Sequence, residues 1–95
     1  MSEETVRSTL GYVASVTIDQ YSEVPLYKQL AAILRGQIEA GQFSRLDPLP
    51  GEATLEQQYE VSRDTVRRAI ALLRDEGLVF TLPQRGTYVG PRPKS

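Results

Sequence analysis

Ninety-five residues, 40% hydrophobic and 24% charged, suffice for one small soluble domain with tails and leave no room for a second core. Cys and His are both absent, which excludes disulfides, a thiolate nucleophile, cysteine-based zinc sites and the usual neutral-pH acid/base. No enzyme, no metal and no cofactor are expected. The net charge of −1 hides a division: residues 1–61 hold four basic against nine acidic side chains, residues 62–95 seven against three. Those balances, −5 and +4, make the C-terminal third the expected contact surface for an anionic partner.

The longest apolar run, Ala69-Ile70-Ala71-Leu72-Leu73, is far short of the ~20 residues of a membrane span. Residues 1–20 lack the pattern of a signal peptide. A cytoplasmic protein with no membrane partner is expected.

Residues 1–23 read as a polar N-terminal tail, in which the β-formers at 12–18 (YVASVTI) admit a short strand. Pro25 then signals a helix start, and Leu26, Leu30, Ile33, Leu34 and Ile38 recur at helical spacing. The first helix is expected from about Pro25 to Ala40, stopped by Gly41. Residues 42–51 hold two prolines and read as a loop with one extended pair near Leu49. Glu52 to Tyr59 reads as a short second helix with Leu55 and Tyr59 inward and Glu52 favouring the positive helix end.

Ser62 is a preferred N-cap, and Val66, Ala69, Ile70 and Leu73 form the buried stripe of a third helix over 62–76, closed by Gly77. Leu78 to Leu82, the turn Pro83-Gln84-Arg85-Gly86 and Thr87 to Val89 read as a hairpin. Pro91-Arg92-Pro93-Lys94, within 90–95, reads as a linker or tail. Helix, helix, short turn, basic helix and hairpin in that order predict a mainly α fold with a small β-hairpin: a winged helix-turn-helix of three helices plus a wing, spanning 24–89.

With that stripe inward, Arg63 and Arg67 share an outward face near the helix N-terminus, and Asp64 and Arg68 form the adjacent row, spaced to pair. Ser62 and Thr65 lie where free N–H groups favour a phosphate. A recognition helix presents such residues to base edges, and a guanidinium fork matches guanine O6 and N7 together. Two arginines at i, i+4 are more often a solvated face, and a glycine in a turn more often serves the backbone. The combination of cap, arginine pair, glycine stop and basic hairpin tilts the reading to nucleic acid.

The stretches Pro25-Leu26-Tyr27-Lys28-Gln29-Leu30, Leu49-Pro50-Gly51-Glu52, Val61-Ser62-Arg63-Asp64-Thr65-Val66-Arg67-Arg68-Ala69, Glu76-Gly77-Leu78-Val79 and Gly86-Thr87-Tyr88-Val89 closely resemble the GntR (gluconate-repressor) family over residues 24–89. The opening Pro-Leu-Tyr-Lys-Gln looks most like the branch of histidine-utilisation repressors, and within it the chain is similar to transfer repressors of actinomycete conjugative plasmids. The resemblance implies a bacterial repressor that acts at the nucleoid and binds a palindromic operator in double-stranded DNA as a homodimer. It further implies contacts to bases or adjacent phosphates by Arg63 and Arg67, with the recognition helix in the major groove and Ser62 and Thr65 along the DNA backbone. Arg68, on the adjacent row, is a further candidate for a base or phosphate contact. The wing residues Gln84, Arg85, Gly86 and Thr87 would lie at the minor groove, and Glu52 would mark the start of helix two beside the DNA.

Three departures stand out. Gly51 replaces the family's usual serine, Ala53 replaces an arginine that reaches DNA in many relatives, and Gln84 replaces the first glycine of the wing. A glutamine there can still bond A·T acceptors in the minor groove. Family members usually carry a C-terminal effector-binding and dimerisation domain. Its apparent absence from this chain makes a shortened form of a longer protein the expectation, rather than a naturally minimal one. Two rival readings are a winged-helix adaptor that docks on protein without DNA specificity, and an enzyme built on Glu52, Glu56 or Glu60.

Overall fold

The computed structural model describes residues 18–94. The strand admitted at 12–18 therefore lies, Ile18 apart, outside the described residues, and Ile18 itself packs half-buried against the core. Three helices and a hairpin follow in chain order: α1 (Leu26–Glu39), α2 (Glu52–Tyr59), α3 (Arg63–Asp75), β1 (Val79–Leu82) and β2 (Gly86–Val89).

Pro25 caps α1 rather than entering its first turn, and its carbonyl accepts from Lys28 N and Gln29 N at 3.0 and 3.1 Å. The Gln29 side chain straps the incoming chain to the helix. Its Nε2 donates to the carbonyls of Asp19 and Val24 at 2.9 and 2.8 Å, and its Oε1 accepts from Asp19 N at 2.8 Å.

Both long helices end by the same device, a glycine in the left-handed region: Gly41 at φ 83° and Gly77 at φ 78°. Each lets the chain fold back on the last carbonyls, Gln42 N to Gln37 O after α1 and Leu78 N to Leu73 O after α3, both 3.0 Å. At the start of α3, Ser62 Oγ accepts from Thr65 N at 3.1 Å, satisfying one of the helix's orphan donors. The helix dipole is complemented at both ends, by Asp64 in the first turn and Arg74 in the last.

The core lies between α1 and α3, with α2 and the hairpin closing its sides. Leu30, Leu34, Leu55, Val66 and Leu73 are fully buried, each contributing roughly 1.5–3 kcal/mol by removal from water. Ala31 and Ala69 are also fully buried, and such small side chains let helix backbones approach closely. The hairpin pairs Val79 with Val89, Phe80 with Tyr88, Thr81 with Thr87 and Leu82 with Gly86. Phe80 and Tyr88 stack with ring centres 5.7 Å apart.

The extended pair expected near Leu49 is present and has a purpose. Leu46 N donates to Val89 O, Val89 N to Asp47 O and Leu49 N to Thr87 O, at 2.7, 2.8 and 2.8 Å. The loop thus covers the outer edge of β2, which would otherwise present unpaired backbone groups. The wing is held from both sides.

Candidate nucleic-acid interface

The outward face of α3 is cationic and open. Arg63, Arg67 and Arg68 expose 66%, 63% and 64% of their side chains, while Val66, Ala69, Ile70 and Leu73 on the opposite side are buried. The periodicity of the sequence therefore assigned the two faces correctly.

Each of these three arginines has an acidic neighbour. Arg68 Nε lies 2.9 Å from Asp64 Oδ2, the pair at i, i+4. Arg67 Nε donates to Glu52 Oε2 at 3.2 Å, and Arg63 Nε lies 3.9 Å from Glu52 Oε1 and 3.7 Å from Glu56 Oε2. Exposed pairs of this kind contribute only about 0–1 kcal/mol each, so their consequence is orientation rather than stability. Glu52 stands in the first turn of α2 as expected.

Ser62 and Thr65 are brought together, but chiefly with one another. Ser62 Oγ donates to Thr65 Oγ1 at 3.0 Å as well as capping Thr65 N. The Thr65 N–H is thereby occupied, which leaves the N–H groups of Arg63 and Asp64, at the first helical positions, to face any anion.

Facing α3 across an open groove of about 760 Å³ stands the wing. The groove is lined by Gly51 and Glu52 from the start of α2, Arg67 and Arg74 from α3, and Gln84 to Thr87 from the wing. Arg85 N donates to Leu82 O at 3.0 Å and Tyr88 Oη donates to Arg85 O at 3.1 Å, so the tip is braced by its own strands. Gln84 sits at φ 63° and Gly86 at φ 119°, both in the left-handed half of backbone space. That explains why a glycine is usual where this chain has Gln84.

Arg74 and Thr81 line the same groove and were not singled out from sequence. Arg74 follows Arg67 by seven residues, two helical turns, and that spacing was a usable signal. The link between Glu52 and Arg67, fifteen residues apart, had no local signal. The apolar patch that a protein-docking adaptor would need on α3 is missing, since the exposed large hydrophobics among the described residues are Tyr21, Val24 and Leu46. Among the described residues there is also no group of three or more acidic side chains able to hold a metal, and no helix long and apolar enough to cross a membrane.

A basic helix turned outward, a helix-turn-helix beneath it and a braced wing beside it define a winged helix-turn-helix of the DNA-binding class. The chain belongs to the GntR family: residues 26–89 match the family described as bacterial regulatory proteins, gntR family. It is 39% identical over 79 residues to the transcriptional repressor NagR of Bacillus subtilis, covering 83% of this chain and 32% of that protein. It is 37% identical over 65 residues to the histidine utilization repressor of Klebsiella aerogenes, covering 68% and 27%.

Among solved structures it is similar to the DNA-binding domain of AraR in complex with an operator, with a TM-score of 0.71 and 34% identity over 76% of this chain and 89% of that one. It is likewise similar to YtrA from Sulfolobus acidocaldarius, a GntR-family transcription factor, with a TM-score of 0.69 and 31% identity over 84% and 83%. These relatives are regulators, not enzymes. The chain spans about a third or less of the length of the curated relatives named here.

Proposed function

We propose that this chain is the DNA-binding unit of a bacterial transcriptional repressor and reads a specific sequence in double-stranded DNA. The observation that carries the reading is the outward face of α3, where Arg63 and Arg67 are open to solvent beside the wing groove. The AraR domain seen on its operator has the same fold. In this reading α3 enters the major groove with Arg63 and Arg67 at base edges, Arg68, Ser62 and Thr65 beside the backbone, and Gln84 to Thr87 at the minor groove.

A protein that reads DNA through one short helix gains affinity by pairing two copies on two half-sites. The proposed operator is accordingly palindromic, and the proposed full-length protein a homodimer, acting in the cytoplasm at the nucleoid. The additional length of the curated relatives suits a further domain for dimerisation and effector binding.

The test is selection of bound sites from a random duplex pool, followed by titration of Arg63→Ala on the recovered site and on scrambled duplex. The substitution is expected to cost ~1–3 kcal/mol on the recovered site and much less on the scrambled one. Equal losses on both would remove Arg63 from base reading. A pool that converges on no sequence would remove sequence-specific binding altogether.

A further inference from the structure

We infer that Arg74, Thr81 and Thr87 form an anchor for a DNA backbone phosphate on the wing side of the groove. The inference builds on the proposed DNA binding and concerns residues to which that reading gives no joint role. Arg74 differs from the other arginines of α3. Arg63, Arg67 and Arg68 each have a carboxylate within 4.0 Å, whereas Arg74 has no ion pair among the described residues. Its charge is uncompensated, and it lines the groove.

Arg74 is also oriented. Its Nη1 donates to Thr81 Oγ1 at 3.1 Å, and Thr81 Oγ1 lies 3.3 Å from Thr87 Oγ1 across the hairpin, where the two threonines are direct partners. Proton bookkeeping allows this chain one productive direction. Either threonine can donate across this contact; in the arrangement where Thr81 Oγ1, accepting from Arg74, donates to Thr87 Oγ1, the Thr87 hydroxyl hydrogen is left over for a ligand. A hydrogen-bond chain that begins at a charged donor polarises toward its far end, which makes that last hydroxyl a better donor to an oxyanion. Both threonines line the same groove as Arg74. One delocalised cation and one polarised hydroxyl on a single wall suit a phosphodiester, which carries one negative charge and several acceptor oxygens.

A backbone anchor must act alike on all sequences. The experiment titrates the full chain with the duplex recovered by selection and with a scrambled duplex of equal length, over a series of salt concentrations. Arg74→Gln is expected to weaken both complexes by about three- to tenfold and to flatten the salt dependence by about 0.9 in log–log slope, the release of one phosphate contact. Thr87→Val should weaken both by about threefold with the slope unchanged, and Thr87→Ser, which keeps the hydroxyl, should restore binding. An unchanged slope in Arg74→Gln, or a Thr87→Val that binds like wild type, overturns the anchor. If wild type binds both duplexes equally, base reading by α3 fails while the slope still decides the anchor. If wild type binds neither, both fall.

Discussion

Arg67 donates through Nε to Glu52 Oε2 at 3.2 Å, so the second arginine of the outward face is held by the first turn of the neighbouring helix. The other oxygen of that carboxylate lies 3.9 Å from Arg63 Nε, and one acidic side chain therefore stands between two cations. In both arginines the contact with Glu52 runs through the inner nitrogen, so under the proposed base reading the terminal nitrogens of each fork remain for a guanine edge. Removing the charge should act differently on the two kinds of DNA. Glu52→Gln is expected to strengthen binding to scrambled duplex by about three- to tenfold, since non-specific binding is governed by net field. Binding to the recovered operator should gain less, because the forks lose their alignment. Glu60→Gln removes the same charge from a residue that touches neither arginine, and should shift both duplexes together. Competition titrations of the two variants check this, and a constant operator-to-scrambled ratio in Glu52→Gln rules out the alignment.

The position of Glu52 depends on how α2 is held. Within that helix Leu55 is fully buried, and Tyr59 packs half-buried against the core. Leu55→Ala is expected to cost ~2–5 kcal/mol, a large share of the roughly 5–15 kcal/mol total of a domain this size. Urea unfolding should show a lower midpoint at unchanged slope. A loss under ~0.5 kcal/mol, the range of ordinary surface substitutions, would mean that α2 is anchored elsewhere.

The elements that were legible in the sequence are those fixed by neighbours within one or two turns. Ser62 as cap, Gly41 and Gly77 as stops and the stripe from Val66 to Leu73 all depend on local spacing and lie where that spacing puts them. The wing turn falls where expected, except that Gly86 already pairs with Leu82 as the first residue of β2. What was not legible depends on how elements cross. Glu52 meets Arg67 across the helix-turn-helix, Arg35 meets Glu76 forty-one residues on, and Leu46 to Leu49 borrow the edge of β2. Even the turn between α2 and α3 hid one feature: Glu60 adopts φ 55°, a left-handed conformation that a glycine would have advertised.

Glu60 and Gln84 share that conformation, at φ 55° and 63°. A non-glycine residue there carries ~1–2 kcal/mol of strain. Glycine relieves it but returns ~0.4–1 kcal/mol through its greater freedom in the unfolded chain. Glu60→Gly and Gln84→Gly should each therefore raise stability by a net of up to ~1.6 kcal/mol, read as a higher urea midpoint. The two differ on DNA. Glu60→Gly removes one acidic charge and should strengthen binding without changing preference, whereas Gln84→Gly removes the wing's amide and should weaken any preference for A·T at the minor-groove positions. A destabilised Glu60→Gly would show that this turn is not strained.

Arg35 and Glu76 tie α1 to the C-terminal end of α3 through two parallel bonds, Nε to Oε1 at 2.9 Å and Nη2 to Oε2 at 2.6 Å. The hydrogen bond from Arg35 holds the Glu76 carboxyl below the ordinary glutamate range, with desolvation pushing the other way and the charge of Arg35 adding to the lowering. A carboxyl whose pKa is lower in the folded than in the unfolded chain stabilises the fold fully above its unfolded value, about 4.3 for glutamate, and that contribution fades as pH falls through the folded value. Glu76→Gln keeps the shape of the side chain and cannot titrate. The melting temperature of wild type should exceed that of the variant by a constant margin at neutral pH, and the margin should close as the buffer is taken below about pH 4.3. Both partners are about one-third exposed, at 30% and 34%, so the margin should also shrink in high salt. If the margin persists undiminished in acid, the two bonds do not draw their strength from the ionised carboxylate, and the tie between α1 and α3 must lie in packing alone.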